Sequence, residues 1–392
     1  MSSSDDVERG PQGGGRRGLA VPPEVPGANL LALRGHNAAL VLGLLRAAGE
    51  EGVSRLELAE RTGLTPQAVS KITTRLRADG LAAEAGRRAS TGGKPRTVLR
   101  LVPGARHAVG IHLDRDEITC VLADLAGRPV AVRRAPLDFG GGAGAVLDAV
   151  AHEVAGLRAA AGGPPVLGAG VACPGPLDHA AGVLRRVTGA PRWDGFPLRD
   201  AVAERLGLPV VLDKDTNAAA LGLGRAPGDG GASFAYLHLG TGLGAGLVLG
   251  GGLHRGPHTG AGEFGHQVLQ LDGPRCGCGR RGCVEELCLA AVARGDLPAA
   301  ARVLGVAAAN LVELLDVERV VLGGRTVLAH PERFRDGVAE VLAEHAALRG
   351  RPGAASGGGP QAVPEVPVAL ARGGSRAVAD GAAELVLSEL FR

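Results

Sequence analysis

Two helical periods stand side by side in Ser54–Ala82, "SRLELAERTGLTPQAVSKITTRLRADGLA". Leu56, Leu58, Ala59 and Leu64 mark the apolar side of a short helix that ends near Gly63. Thr65 supplies an N-cap oxygen, and Pro66 takes the first helical position, where a missing N–H is tolerated. Val69, Ile72, Thr73 and Leu76 then face inward, which leaves Gln67, Ser70, Lys71, Thr74 and Arg75 facing solvent. A longer apolar helix, "NAALVLGLLRAAG" (Asn37–Gly49), precedes this pair; "LAAEAG", the turn-rich "RRASTGGKPR" and "TVLRLVP" follow it. Helix, helix, helix and hairpin in that order predict a winged helix-turn-helix whose Pro66 helix is polar enough to enter a major groove. Arg87, Arg88, Lys94 and Arg96 fall on the hairpin loop, where they suit phosphate or minor-groove contact.

From about Ala105 the pattern changes to short β runs punctuated by glycines. "HAVGIHLDRDEITCVLADLAGRPVAVRR" predicts a three-strand meander, "VLDAVAHEVAGLRAAAG" a helix, and "LGAGVACPGPLD" a buried strand ending in a turn. "FAYLHLGTGLGAGLVLGGGL" predicts a second hairpin around a glycine-rich bend. A meander followed by alternating α and β, appearing twice, fits a duplicated ribonuclease-H-like lobe with a cleft between the copies. The expected organisation is α/β: a disordered leader over residues 1–28, a winged helix domain over 29–102 and a two-lobed domain over 103–392.

Charge sharpens the first module. Residues 30–100 carry 12 Arg/Lys against 6 Asp/Glu, whereas 1–29 sum to −1 and 101–392 to −2. A basic module on a near-neutral body predicts contact with double-stranded DNA; a helical protein–protein adaptor with a solvated face is the competing reading. Only Lys71, Lys94 and Lys214 are lysines, so with its many Ala and Gly the chain resembles the product of a GC-rich genome, and glycine abundance alone carries no function. No apolar run approaches 18 residues and the leader lacks the apolar core of a signal peptide. The expectation is a cytoplasmic chain with no membrane span, in a reducing compartment where clustered cysteines are metal ligands before they are disulfides.

Three of the six cysteines crowd into eight positions of "EFGHQVLQLDGPRCGCGRRGCVEE". His266, Cys276, Cys278 and Cys283 offer one imidazole and three thiolates, a closed tetrahedral set of the kind that holds structural zinc. Four protein ligands leave no open position for an activated water, and no aromatic residue stands between His266 and Cys283 to make a nucleic-acid knuckle. Cys120, Cys173 and Cys288 show no such spacing and are expected as small core residues.

Taken together, "ACPGPLD", "WDGFPLRDAVAERLGLPVVLDKDTNAAAL", "GTGLGAGLVLGGGLHRG", "GAGEFGHQVLQLDGPRCGCGRRGCVE" and "DVERVVLGG" resemble the ROK family of repressors and sugar kinases, from about Arg34 to the C-terminus. The resemblance implies an actin-like ATPase fold. It also implies sugar-hydroxyl contacts by Glu263, His266 and Glu285, and matches Asp215 to the kinases' general base. Asn217 matches the closing asparagine of that motif, with a loop-forming role, and is counted with the ligand-binding residues.

Departures from the family pattern matter as much. The kinases' D-x-G-G-T phosphate turn is here "LDRDEIT": Asp114 remains, but Arg115, Asp116 and Glu117 replace the glycines. The second glycine bend, Gly240–Gly246, is intact. ATP is therefore not expected as a cofactor, and Asp215 becomes a vestigial base. Lys214 stands where the kinases use asparagine; it either favours an anionic ligand or pairs with Asp213 or Asp215. Leu223 replaces a glutamate, and the segment after Glu286 is shorter than the family's.

These observations predict a sugar-responsive repressor of carbohydrate genes, a homodimer or homotetramer on a pseudo-palindromic operator, with zinc bracing the pocket. An active sugar kinase with an added DNA-binding module, and a constitutive DNA-binding protein with a decayed pocket, are the alternatives.

Overall fold

The computed structural model describes residues 30–88, 96–187, 190–225, 231–349 and 365–391. The N-terminal module comprises α1 (Leu30–Ala48), β1 (Val53–Ser54), α2 (Arg55–Thr62), α3 (Pro66–Ala78), β2 (Ala82–Arg88) and β3 (Arg96–Leu101). Its three strands form one sheet in the order β1-β3-β2. Ser54 and Glu57 close a reciprocal capping box on α2, and the Thr65 hydroxyl accepts from the Ala68 amide to start α3. Val69, Thr73 and Leu76 are buried as the apolar period requires. Helix α1 starts seven residues before the expected Asn37. Arg87 and Arg88 pair within β2 and Arg96 begins β3, so they lie on the strands and not on the loop between them; Lys94 falls outside the described residues.

Two sheets of identical plan follow. The first lobe runs through β4 (His107–Leu113), β5 (Glu117–Asp124), β6 (Pro129–Pro136), α4 (Ala143–Ala160), β7 (Val166–Cys173), β8 (Leu177–Asp178), β9 (Val183–Leu184), α5 (Leu198–Leu206), β10 (Val210–Lys214) and α6 (Asp215–Leu223). The second runs through β11 (Phe234–Leu239), β12 (Leu243–Leu249), β13 (Gly252–His254), α7 (Val284–Ala293), α8 (Leu297–Leu315), β14 (Arg319–Gly323), α9 (Arg325–Ala329), α10 (Pro331–Arg349), β15 (Val368–Leu370) and α11 (Ala377–Leu390). Strand orders are β10-β7-β4-β5-β6 and β13-β12-β11-β14-β15: an antiparallel meander extended by two parallel strands, made twice. This is the duplicated lobe that the β and α periods predict.

Helix α11 lies against both β4 and β7 of the first lobe and runs along α6. The contact is close enough that a Cβ at Gly170 would stand 1.8 Å from the Ala382 carbonyl oxygen, so only glycine admits the helix there. The far side of α11 meets the winged helix. Val41, Leu42, Leu45 and Leu99 share one apolar cluster with Ala108, Leu125, Ala383 and Leu387, so the core continues across residue 102. Within that seam Arg46 donates two hydrogen bonds to Glu384, at 2.8 and 2.6 Å, with only 16% and 5% of the side chains exposed. Removing one partner of so buried a pair leaves an uncompensated charge, at a cost of about 3–5 kcal/mol.

Helix α8, Leu297–Leu315, is long and apolar enough by composition to cross a membrane, although half of it is buried in the second lobe. Ala300, Leu304, Ala308 and Leu311 face that lobe's core, which accounts for the apolarity.

Candidate functional site

The cleft between the lobes holds a cavity of about 100 Å³. Since a water needs roughly 10–15 Å³ on this measure, the space suits something the size of a monosaccharide. Its walls come from the β4–β5 turn, the end of β7, the start of α6, the β11–β12 bend and the segment Gly262–His266, closed by Glu285 of α7. Chain segments far apart in sequence meet here because each sheet's parallel strands end at the cleft.

Asp215 opens α6 and is half-buried at the cavity wall, with its Oδ1 accepting from the Thr216 amide at 2.6 Å. Burial pushes its carboxyl above the ordinary range, against the nearby His238 and Lys214 charges. Glu263 is half exposed, and Glu285 accepts from the Leu243 amide at 2.8 Å. Gly262 (φ +84°) lets this segment press on β12, where a Cβ would stand 2.0 Å from the Ala245 carbonyl oxygen.

Lys214 behaves differently from either expected pairing. Its ammonium donates to Glu263 at 3.0 Å and to the Ala261 carbonyl at 2.6 Å, and its side chain is 4% exposed. Asp213 is already engaged, by Arg255 at 2.6 Å and by the Asn217 amide at 2.8 Å. Asn217 itself is fully buried within α6 and does not line the cavity, so it is neither a loop former nor placed to touch a ligand. Its job is to hold Asp213 beneath the pocket floor.

His266, Cys276, Cys278 and Cys283 bring their four donor atoms within 4.8 Å of one another. The Cys278 and Cys283 sulfurs are 3.7 Å apart, as are Cys276 Sγ and His266 Nδ1. Metal–sulfur bonds of about 2.3 Å at tetrahedral angles put sulfurs about 3.8 Å apart, so the set fits a metal ion. Bridges Val268–Cys283 and Arg275–Arg281 tie the loop to itself, and Cys283 is the N-cap residue of α7, two positions before Glu285. His266 also lines the cavity. Cys120, Cys173 and Cys288 are buried core residues.

On the opposite wall, the β4–β5 turn is closed by a residue the sequence did not flag. Arg325, at the start of α9 in the second lobe, donates to Asp114 at 2.6 Å and to Asp116 at 2.7 Å, with a further short contact to Asp116. The guanidinium holds both carboxyls below the usual range, in Asp114 against the opposing effect of burial. Arg325 is separated from these partners by 209 and 211 residues, so no local pattern exposes the pair. His112, behind the turn, is driven down to about 4 by burial.

On the N-terminal module, Gln67, Ser70, Lys71, Thr74 and Arg75 all lie exposed along α3, as does Arg96 on β3. Arg75 is lightly held by Asp79 at 3.7 Å.

The two-lobed actin-like body thus carries a winged helix-turn-helix module and a pocket in its cleft. Residues 108–295 match the ROK family model. The xylose repressor of Bacillus subtilis is 29% identical over 239 residues, covering 59% of this chain and 61% of the repressor. Among solved structures, the ROK hexokinase from Thermus thermophilus is 30% identical, with a TM-score of 0.58, over 72% of this chain and 99% of that one. A ROK family transcriptional regulator, a homologue of the E. coli MLC protein, shares the fold over 92% of this chain and 97% of its own, with a TM-score of 0.71 at 23% identity. The chain belongs to the ROK family. It spans about three-fifths of the length of the xylose repressors it matches.

Proposed function

We propose that this protein is a sugar-responsive transcriptional repressor of carbohydrate genes that has lost kinase activity. The observation that carries the reading is the packing of the winged helix on α11, which runs along α6, whose first residue is the pocket's Asp215. A sugar held by Asp215, Glu263, His266 and Glu285 would bias the lobes toward closure. Such a shift is delivered through α6 and α11 to the DNA-binding helices. Similarity to repressors of xylose genes supports a sugar effector and an operator partner. The exposed polar face of α3, together with Arg87, Arg88, Lys94 and Arg96, would meet the DNA, a homodimer or homotetramer presenting two α3 helices to a pseudo-palindromic site.

His266, Cys276, Cys278 and Cys283 would hold structural zinc, which supplies a rigid joint between the Glu263 segment and α7 and no reactive position. Kinase activity is disfavoured because Arg325, Asp114 and Asp116 fill the turn where a nucleotide's phosphates would lie. As a regulator that meets its operator DNA, the protein would act in the cytoplasm.

The test is operator binding by the full-length protein with and without monosaccharides, paired with an assay for ATP-dependent sugar consumption. Expected are operator binding that one sugar class weakens and no sugar consumption. Binding indifferent to every sugar would favour a constitutive regulator, and phosphorylated product would establish a kinase.

A further inference from the structure

A second cavity, of about 280 Å³, opens at the seam between the winged helix and the body. It sits at the other end of α6: Gly222 and Leu223 line it, whereas Asp215 and Thr216 line the cleft pocket. Four arginines border it, Arg46 of α1, Arg225 after α6, and Arg372 and Arg376 before α11, against two carboxylates, Asp380 and Glu384. Four positive groups and two negative ones leave a formal charge of +2.

The charges inside are incompletely matched. Glu384 serves two arginines, bonded to Arg46 and 3.6 Å from Arg225. Arg376 Nε stands 3.5 Å from Asp380 Oδ2, and both Arg376 Nε and Asp380 Oδ1 are buried without a hydrogen-bond partner. Buried polar atoms are ordinarily satisfied, so a pair this long leaves the Arg376 guanidinium short of an acceptor and Asp380 Oδ1 short of a donor. Bare backbone keeps the space open: a Cβ at Gly127 (φ +79°) would come within 2.6 Å of Arg46 Nη2, and one at Gly373 (φ +83°) within 2.7 Å of Asp380 Oδ2. Burial also pushes the Asp380 carboxyl upward, which lessens its repulsion of an anion.

We propose that this seam cavity is a second effector site, for a small phosphate-bearing metabolite. A phosphate dianion matches the excess charge, and guanidinium forks match its tetrahedral oxygens. Because Arg46 belongs to the winged helix, an anion drawing Arg46 or Arg225 away from Glu384 changes the contact that seats the DNA-binding module on α11. Occupancy of this site and operator binding are then linked in both directions.

The experiment is calorimetric titration of the full-length protein with inorganic phosphate, glucose 6-phosphate and glucose at constant ionic strength. It compares the natural sequence with an Arg372→Gln/Arg376→Gln double variant and with Asp215→Asn, all first shown to keep the same circular dichroism. Expected is binding of both phosphate compounds, weakened roughly tenfold or more in the arginine double variant and unchanged in Asp215→Asn, a loss of about 1.4 kcal/mol or more. Glucose should show the opposite dependence, which separates this site from the cleft pocket. The proposal is overturned if phosphate fails to bind at millimolar concentration. It is equally overturned if the double variant binds phosphate as before, or if glucose 6-phosphate binding depends on Asp215 alone.

Discussion

At one end of the cleft, Asp215, Glu263 and Glu285 border an open cavity; at the other, Asp114 and Asp116 close on Arg325. Both ends are rich in carboxylates, yet at one of them the pair is spent on a guanidinium. The difference lies in what each acid was given as a partner. Glu285 keeps one oxygen on a backbone amide and Glu263 is held by a lysine that also serves a carbonyl, so both stay at the cavity wall. The two turn carboxylates are consumed by a single guanidinium from the opposite lobe. An open end and a locked end can thus persist in one cleft, because different side chains hold each set of carboxylates.

Breaking the brace of the open end should have the largest effect. Cys283→Ser removes a fully buried thiol of the proposed zinc site, and zinc binding supplies on the order of 10 kcal/mol in small zinc domains. The variant should lose its metal and melt well below the parent protein. Metal analysis of the freshly purified parent should return close to one zinc per chain, and under about half would refute the site.

Acid should act next, through His112 on the locked side. Its folded value of about 4 lies below the ordinary 6.5, so the unfolded chain takes the proton first. The associated stability is therefore complete above pH 6.5 and declines as pH falls toward 4, by on the order of 3 kcal/mol. His112→Gln should flatten this part of a stability–pH curve; a curve of unchanged slope would reject the assignment.

A smaller loss is expected from Asp215→Asn, which replaces a charged acceptor in the pocket. Hydrogen bonds to ionised groups contribute about 1.5–3 kcal/mol, so the thermal shift caused by the effector sugar should nearly vanish. An undiminished shift would move the sugar elsewhere. Least affected should be Arg325→Ala. Asp116 and Arg325 are about half exposed, so solvent screening limits the loss to about 1 kcal/mol in denaturant unfolding. If stability is untouched, the cross-lobe pair does not hold the turn shut.

The helix-turn-helix was legible because capping and apolar period act within a few residues, as the Ser54–Glu57 box and the Thr65 cap illustrate. The His/Cys cluster was legible for a related reason: three of its four residues sit within eight positions, a spacing that suits a tetrahedral set. Asn217 was misjudged because its residue type suits a loop, while its actual partner, Asp213, lies four residues earlier at the end of β10. Lys214 was seen but not its partner, since Glu263 arrives from a segment 49 residues later. The wing arginines were assigned to a loop that the strands in fact claim, a boundary that propensity does not fix.

By itself, the sequence determined the order of elements, the doubled lobe, the exposed polar face of α3, the His/Cys cluster and the absence of glycines from the β4–β5 turn. Each follows from short-range period, capping or spacing. Tertiary structure alone decided that Arg325 would occupy the turn, that Lys214 would hold Glu263, and that Arg46 would seat the winged helix on Glu384 of α11. Those pairs join residues 211, 49 and 338 positions apart. Charge pairing across such distances is chosen by which surfaces the packed lobes bring together, and nothing in the local chain encodes the choice.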